Sequence, residues 1–406
     1  MSTSRETSGT RETRGPESAQ HEHFPWSPLL ALALAGFVCI MTETLPVGLL
    51  PQITDDLGVS EAAAGQWVSV YAAGTVITVL PAIALTRGIR RKPLLLIGAA
   101  GFLLANASTA LAPTYEVALI ARAVAGGFSG LVWGILAGYA RRLVPSSLAG
   151  RALTVAMVGT PLALSLGTPA GTLMGGIVGW RWTFAAMSMV ALCLVVWIVL
   201  GVPDRPGQAR KEQTAVWRVV AIPGVAPVLA TTFAWLLAHN LLYTYIAPYI
   251  SWLQVGTRTD AVLMAFGCAA LIGIWLTGRL VDAMLRRLVL GSLAAFALAG
   301  LTLALGGHSS VLFWAAVVLW GLTFGGAATQ LTTAATDSAT GAVDIVTALM
   351  VVAFNLAIFG GGVVGGLILQ TWGPGSFPWA VVLLATVGLI VAAIARHRSF
   401  TPGPRD

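Results

Sequence analysis

"LLALALAGFVCIMTETLPVGLLP" (Leu29–Pro51) decides how this chain is read. The stretch is apolar for long enough to cross a bilayer as a helix, yet Glu43 stands inside it. A helix rises about 1.5 Å per residue and needs about 20 apolar residues to span hydrocarbon. A carboxylate at that depth is costly unless it faces a protein interior and finds a partner. The rest of the chain must therefore show whether this is a membrane span and what keeps Glu43 within it.

Composition answers the first question. Of 406 residues, 57% are hydrophobic and only 10% are charged, and the mean hydropathy is +0.84. Soluble domains carry about 25% charged residues, so the chain is read as an integral, all-α membrane protein. Lipid offers the backbone no hydrogen-bond partners, which leaves helices as the spans. Twelve can be drawn, at 28–51, 63–86, 94–112, 115–140, 149–178, 181–202, 222–252, 261–284, 288–306, 309–334, 343–371 and 377–396.

Basic residues set the orientation. Both ends of the chain and the gaps 87–92, 141–151, 205–218 and 279–287 hold 20 of the 23 Lys and Arg. The opposite loops hold only Arg181 and Arg258, and the first of them carries Asp55, Asp56 and Glu61. Both termini are therefore expected in the cytoplasm, and the net charge of +7 reflects this bias rather than a nucleic-acid surface. Residues 1–25 are polar and read as a disordered tail, followed by a first span expected to be retained. Cys39, Cys193 and Cys268 are scattered through separate spans and read as apolar fillers, not metal or disulfide partners. The excess of Arg over Lys, with abundant Ala and Gly, points to a GC-rich bacterial genome.

The chain also repeats itself. At a shift of about 196 residues "AIALTRGIRR" (82–91) lies over "GRLVDAMLRR" (278–287), and at 197 "ETLPVGLLP" (43–51) lies over "NLLYTYIAP" (240–248). Gly126 and Gly130 lie over Gly321 and Gly325. Two six-helix bundles, 26–202 and 222–396, are expected around a central site. A linker at 203–221 joins them, and a tail follows at 397–406.

This organisation resembles the major facilitator superfamily, and within it the twelve-span drug:proton antiporters that include sugar, nucleoside and chloramphenicol exporters. The segments that carry the resemblance are "TETLPVGLLPQITDDLGVSEAAAGQWVSVYAAG" (42–74), "RAVAGGFSGLVWG" (122–134) and "GTPLALSLGTPAGTLMGGIVGWRWTF" (159–184). One segment departs from the family. Its loop pattern Gly-x-x-x-Asp-Arg-x-Gly-Arg-Lys/Arg here has Ala82, Thr86 and Ile89 for the two glycines and the aspartate, while Arg87, Arg90 and Arg91 remain. The aspartate survives only in the second copy, as Asp282, followed there by Arg286.

Depth arithmetic pairs Glu43 with a base. Glu43 lies seven residues before Leu50, and Arg122 lies seven after Tyr115. Each is thus about 10 Å below the same membrane face. Two readings stand: Glu43 is a proton carrier coupled to Arg122, or the two form a permanent structural ion pair. The resemblance implies the first, because Arg122 matches the helix-4 arginine associated with proton coupling.

Substrate contacts are expected from Tyr71, Thr75, Ser129, Trp133, Trp235, His239, Asn240, Tyr243, Gln330 and Asn355. A cavity of aromatics and hydroxyls with few charges suits a moderately apolar organic solute. His239 and Asn240 read equally as interhelical hydrogen-bonding groups. Tyr249 and Trp252 are expected as interfacial anchors. Gly167, Pro169, Gly171 and Gly175, answered by Gly361 and Gly365, form small-residue stripes for close packing or for rocking of one bundle on the other.

The leading reading is a proton-driven exporter of a small drug-like, sugar or nucleoside molecule, acting as a monomer in the cytoplasmic membrane. An importer or facilitator of the same fold is the alternative, and a sensor or membrane enzyme is more remote. No phosphate-binding Gly-x-x-x-x-Gly-Lys-Ser/Thr loop and no metal or nucleophile motif occurs, so no cofactor is expected.

Overall fold

The structure is a computed structural model and describes residues 24–86, 88–145, 148–207, 216–339, 342–396 and 399–400. Arg87, most of the two tails and residues 208–215 of the linker lie outside it. The described residues form helices and no strands.

The first half comprises α1 (Trp26–Leu57), α2 (Glu61–Thr86), α3 (Arg91–Leu111), α4 (Tyr115–Arg142), α5 (Ala149–Val178) and α6 (Trp180–Gly201). The second begins with α7 (Val225–Thr244), which continues as Ile246–Leu253. A 48-residue helical run, Thr259–Gly306, follows. At 1.5 Å per residue it would be about 72 Å long, more than twice the hydrocarbon thickness. Met284, with φ −150° and ψ 41°, breaks it into two crossings, α8 and α9. The chain ends with α10 (Ser310–Ser338), α11 (Ile345–Trp372) and α12 (Pro374–Ile394). Eleven described helical runs are long and apolar enough to cross a membrane, and the divided one makes twelve crossings.

Helix α1 overruns its expected end at position 51. Pro46 and Pro51 both lie inside it, and it stops only at Gly58, whose φ of 62° lets its N–H return to the Thr54 carbonyl. Proline removes one hydrogen bond, which packed neighbours in a membrane bundle tolerate; the left-handed glycine is the true stop. In α5 proline acts differently. Pro169 has no N–H for the Ser165 carbonyl, and the helix widens to a π turn over Ala163–Gly167. The Thr168 hydroxyl donates to the Ala163 carbonyl at 3.2 Å.

The repeat is visible in packing. A Cβ on Gly126 would lie 1.9 Å from the Tyr71 carbonyl oxygen, so α4 meets α2 backbone to backbone. Gly321 and Gly325 place α10 on α8 in the same way, 2.4 Å and 2.1 Å from the Phe266 and Ala270 carbonyls. The stripe on α5 seats α1: Gly167, Gly171 and Gly175 face Met41, Leu45 and Leu49. On α11, Gly361 and Gly365 face Asn240 and Tyr245 of the α7 segment.

The arginine-rich end holds a second pair of equivalents. Arg90 forms an ion pair with Asp204 just past α6, and the Lys92 N–H donates to the same carboxylate at 3.2 Å. Tyr139 donates to the Pro203 carbonyl at 2.8 Å. In the second half Arg286 grips the chain past α12, donating to the Ala392, Ala393 and Phe400 carbonyls at 3.2, 3.1 and 2.9 Å. Arg90 and Arg286, like Asp204 and Phe400, are related by the same offset of about 196. Asp204 thus gives the first copy of the loop a carboxylate where the sequence has Thr86. Asp282 is exposed on α8 shortly before the break.

Candidate functional site

Three consecutive residues of α1 organise the site. Successive side chains on a helix point about 100° apart, so Thr42, Glu43 and Thr44 reach three different neighbours. Thr42 accepts a hydrogen bond from Asn106 of α3 at 3.0 Å. Thr44 meets the Thr168 hydroxyl of α5 at 2.8 Å. Glu43, between them, faces α4 and Arg122. The α5 partner is available because the π turn presents Thr168 to α1. Sequence reasoning passed over both threonines, Asn106 and Thr168, although the polar triplet inside an apolar span was their signal.

Arg122 is fully buried. Its Nη2 donates to the main-chain oxygen of Glu43 at 3.3 Å, and its Nε to that of Trp67 at 3.4 Å. The guanidinium lies over the rings of Tyr71 and Phe184, at 5.0 and 5.8 Å from their centroids. Two carbonyls and two ring faces therefore stabilise this cation as well as the nearby carboxylate. No direct ion pair joins Glu43 and Arg122 among the described residues. The Arg122 nitrogens stay outside the 4.0 Å ion-pair distance from the Glu43 carboxylate. The reason is geometric: main-chain oxygens of α1 and α2 lie closer to the guanidinium. Glu43 keeps 7% of its surface accessible, and its carboxylate makes no hydrogen bond among the described residues.

The second half contributes aromatic groups. His239 stacks on Phe324, ring centroids 3.4 Å apart and planes within 7°. Tyr243 and Phe266 stack near it at 5.1 and 5.5 Å. The Trp320 indole N–H donates to His239 Nδ1 at 3.0 Å. An indole nitrogen only donates, so Nδ1 carries no proton and the ring is the neutral Nε2–H tautomer. His239 thus makes an interhelical hydrogen bond with α10. Tyr243 reaches from this cluster toward Thr168 and Glu43 in the first half, and its hydroxyl has no hydrogen-bond partner of good geometry.

The other expected contacts divide. The Ser129 side chain lies beside Cys39 and Tyr71, and the Trp235 indole nitrogen is buried without a partner. Tyr71 donates to the Cys39 carbonyl at 2.9 Å, tying α2 to α1. Trp133 lies near Gly36 of α1. The Thr75 hydroxyl lies 3.2 and 3.1 Å from the Tyr71 and Gly126 carbonyls. Gln330 donates to Thr277 and Ser292 at 3.2 and 3.3 Å. Asn240 and Asn355 return their amides to Leu236 and Val351 one turn back, at 2.8 and 2.9 Å. In an apolar medium the nearest carbonyl is the available acceptor, which sequence spacing does not reveal. Tyr249 is not an interfacial anchor: it is buried and donates to Leu303 at 3.0 Å. Trp252 is exposed.

At the end opposite the arginine-rich loops the halves are joined. Gln66 of α2 donates to the Gly362 carbonyl of α11 at 3.1 Å, and the Tyr245 hydroxyl, which donates to the same carbonyl at 2.7 Å, lies 3.4 Å from the Ala62 carbonyl of α2. Gly267 of α8 packs on the Ser165 backbone of α5. A cavity of about 400 Å³ remains beyond these contacts, lined by Gln52, Thr172, Ser251, Gln254 and Asp260 among others.

Two bundles closed over a buried acid–base pair and an aromatic cluster define a membrane transporter rather than an enzyme. The chain belongs to the Major Facilitator Superfamily, whose sequence profile matches residues 32–359. It is 29% identical over 381 residues to the purine ribonucleoside efflux pump NepI of Salmonella paratyphi A, covering 91% of this chain and 94% of that one. It is 28% identical over 401 residues to NepI of Shigella sonnei, covering 96% and 98%. Among solved structures, the human organic anion transporter MFSD10 (TETRAN) superposes with a TM-score of 0.71 at 13% identity, over 91% of this chain and all of that chain. That last likeness speaks to the fold alone.

Proposed function

We propose that this protein exports a purine ribonucleoside or a similar small molecule across the bacterial cytoplasmic membrane in exchange for protons. The observation that carries the reading is Glu43: a carboxylate in a membrane span, beside Arg122, with no hydrogen bond to hold it in one protonation state. The similarity to ribonucleoside efflux pumps over nearly the whole chain supports the substrate class and the direction. The arginine-rich end is assigned to the cytoplasm by its basic residues. The joined end is then external, and the conformer is closed to the outside.

In the proposed cycle a proton from outside neutralises Glu43 and removes its attraction to Arg122. Two unit charges about 4 Å apart at an effective dielectric near 20 interact by about 4 kcal/mol, the upper limit for this step. The bundles exchange access only to the extent that proton and substrate prefer different conformers.

The test uses purified protein in liposomes with a radiolabelled purine ribonucleoside such as inosine. Wild type is expected to move inosine uphill when a pH gradient is imposed. Glu43→Gln should lose that drive while retaining exchange at saturating inosine. Equal pH-driven transport by both would remove Glu43 as the carrier. Cysteines at Asp56 or His308 should label from outside intact cells, and one at Arg90 only from inside.

A further inference from the structure

The cavity of about 400 Å³ at the joined end takes its walls from both bundles, and small-molecule sites run from about 300 to 1,000 Å³. Gly48 of α1, Thr172 of α5 and Ile250 of the α7 segment are its buried residues. Gly48 and Thr172 each stand four residues beyond Thr44 and Thr168, whose hydroxyls meet at 2.8 Å. Four residues advance a helix by about 6 Å, so the cavity lies one turn further along α1 and α5 than the candidate site. A Cβ on Gly48 would lie 2.7 Å from Thr172 Cβ, so the two helices touch there and close the floor.

Each half supplies an amide. Gln52 comes from α1, and its Oε1 is buried without a hydrogen-bond partner. Gln254 comes from the end of the α7 segment and is exposed at the rim. Its φ is 54°, the only positive value at a non-glycine among the described residues. Glycine avoids the clash of Cβ with the following carbonyl in this conformation, and the repeat shows glycine in that role. Gly58, 196 residues earlier, closes α1 with φ 62°. A glutamine held in a strained place that its own repeat fills with glycine points to work for the side chain. The lining charges cancel, because Arg258 donates to Asp260 through two hydrogen bonds of 3.0 and 2.9 Å. A carboxamide sets a donor beside an acceptor, which matches the donor–acceptor edge of a purine. The cavity therefore suits a neutral heterocyclic solute rather than an ion.

Resting on the reading that the substrate is a purine ribonucleoside, we infer that this cavity is a second nucleoside site on the outer side, where a released molecule bridges Gln52 of one half and Gln254 of the other. Its walls part when the bundles part, so a nucleoside there binds the closed conformer and shifts the population toward it. The exported product thus restrains its own export from outside.

The test follows radiolabelled inosine leaving right-side-out vesicles that contain the full chain, with rising unlabelled inosine outside. In wild type the efflux should fall severalfold and saturably. Gln52→Ala and Gln254→Gly should each raise the half-inhibiting concentration by about 3- to 10-fold, the worth of one neutral hydrogen bond. Efflux into inosine-free buffer should be unchanged in both. Gln254→Gly also relieves the strained backbone, so its melting temperature should equal or exceed that of wild type, which separates a lost contact from misfolding. Equilibrium dialysis of the purified chain should count two inosines per molecule in wild type and one in the double variant. External inosine that leaves efflux unchanged or speeds it, or inhibition that both variants keep, would overturn the outer site and leave nucleoside export standing. Failure of the chain to bind or move any nucleoside would overturn both.

Discussion

Replacing Gly267 with alanine places a methyl group where α8 meets the opposite bundle. The new Cβ would sit 2.5 Å from Ser165 Cα and 2.8 Å from the Ser165 carbonyl oxygen. Carbon atoms in contact prefer about 3.5–4.0 Å, so α8 and α5 must part by roughly 1 Å at this point. Both opposing atoms are main chain, so no rotamer change relieves the clash. Overpacking of this kind costs about 1–3 kcal/mol. Because the contact joins two bundles rather than two helices of one, the protein sheds that cost by opening there. A bias of about 1–3 kcal/mol changes the ratio of conformers by roughly 5- to 150-fold.

Pulsed electron paramagnetic resonance reads this from spin labels at Asp55 and Thr257, which lie on either side of the joined end. Wild type should be dominated by a short distance, and Gly267→Ala by a longer one, with little loss of thermal stability. Gly126→Ala is the control. Its Cβ would meet the Tyr71 carbonyl at 1.9 Å inside a single bundle, so it should lower the melting temperature without lengthening the distance. The reasoning fails if Gly267→Ala behaves like the control, losing stability with an unchanged distance distribution.

Two further predictions concern the arginine-rich end and the aromatic cluster. Burial alone would raise the Asp204 carboxyl, but the Arg90 hydrogen bond, the Lys92 amide and the Arg90 charge together hold it below the usual carboxylate range. A group whose folded value is depressed stabilises above its unfolded value and loses that contribution as pH falls through the folded one. The melting-temperature gap between wild type and Asp204→Asn should therefore be present at neutral pH and close in acid; a gap independent of pH would contradict the clasp. Nitrogen NMR of His239 should show Nδ1 unprotonated and Nε2 protonated in wild type. Trp320→Phe removes the indole donor, at a cost of about 1 kcal/mol, and should give a mixture of tautomers; unchanged nitrogen shifts would rule out the indole contact.

Hydropathy and the internal repeat made the architecture legible before any coordinates, because each is written in the order of residues along the chain. Even the 48-residue run was divided correctly, since the basic pair Arg286 and Arg287 marks where a span must end. The end of α1 was misplaced because proline is a weaker stop inside a bundle than in water, while Gly58 is a stronger one. Glu43 and Arg122 were found together because a charge in a span is conspicuous and depth is a matter of counting residues.

Partners, by contrast, were beyond the sequence. Spacing could not show that Thr75, Gln330, Asn240 and Asn355 are each hydrogen-bonded to a carbonyl or hydroxyl beside them. Asp204 looked like linker and instead supplies the first loop with the carboxylate it lacks. Whether a polar side chain is spent or free depends on how each helix is rotated about its axis and which backbone lies opposite. Close contacts such as Gly126 on Tyr71 and Gly267 on Ser165 set that rotation. The sequence by itself determined twelve spans, two halves and a buried acid near a buried base; the packing alone decided that the acid would be left without a donor.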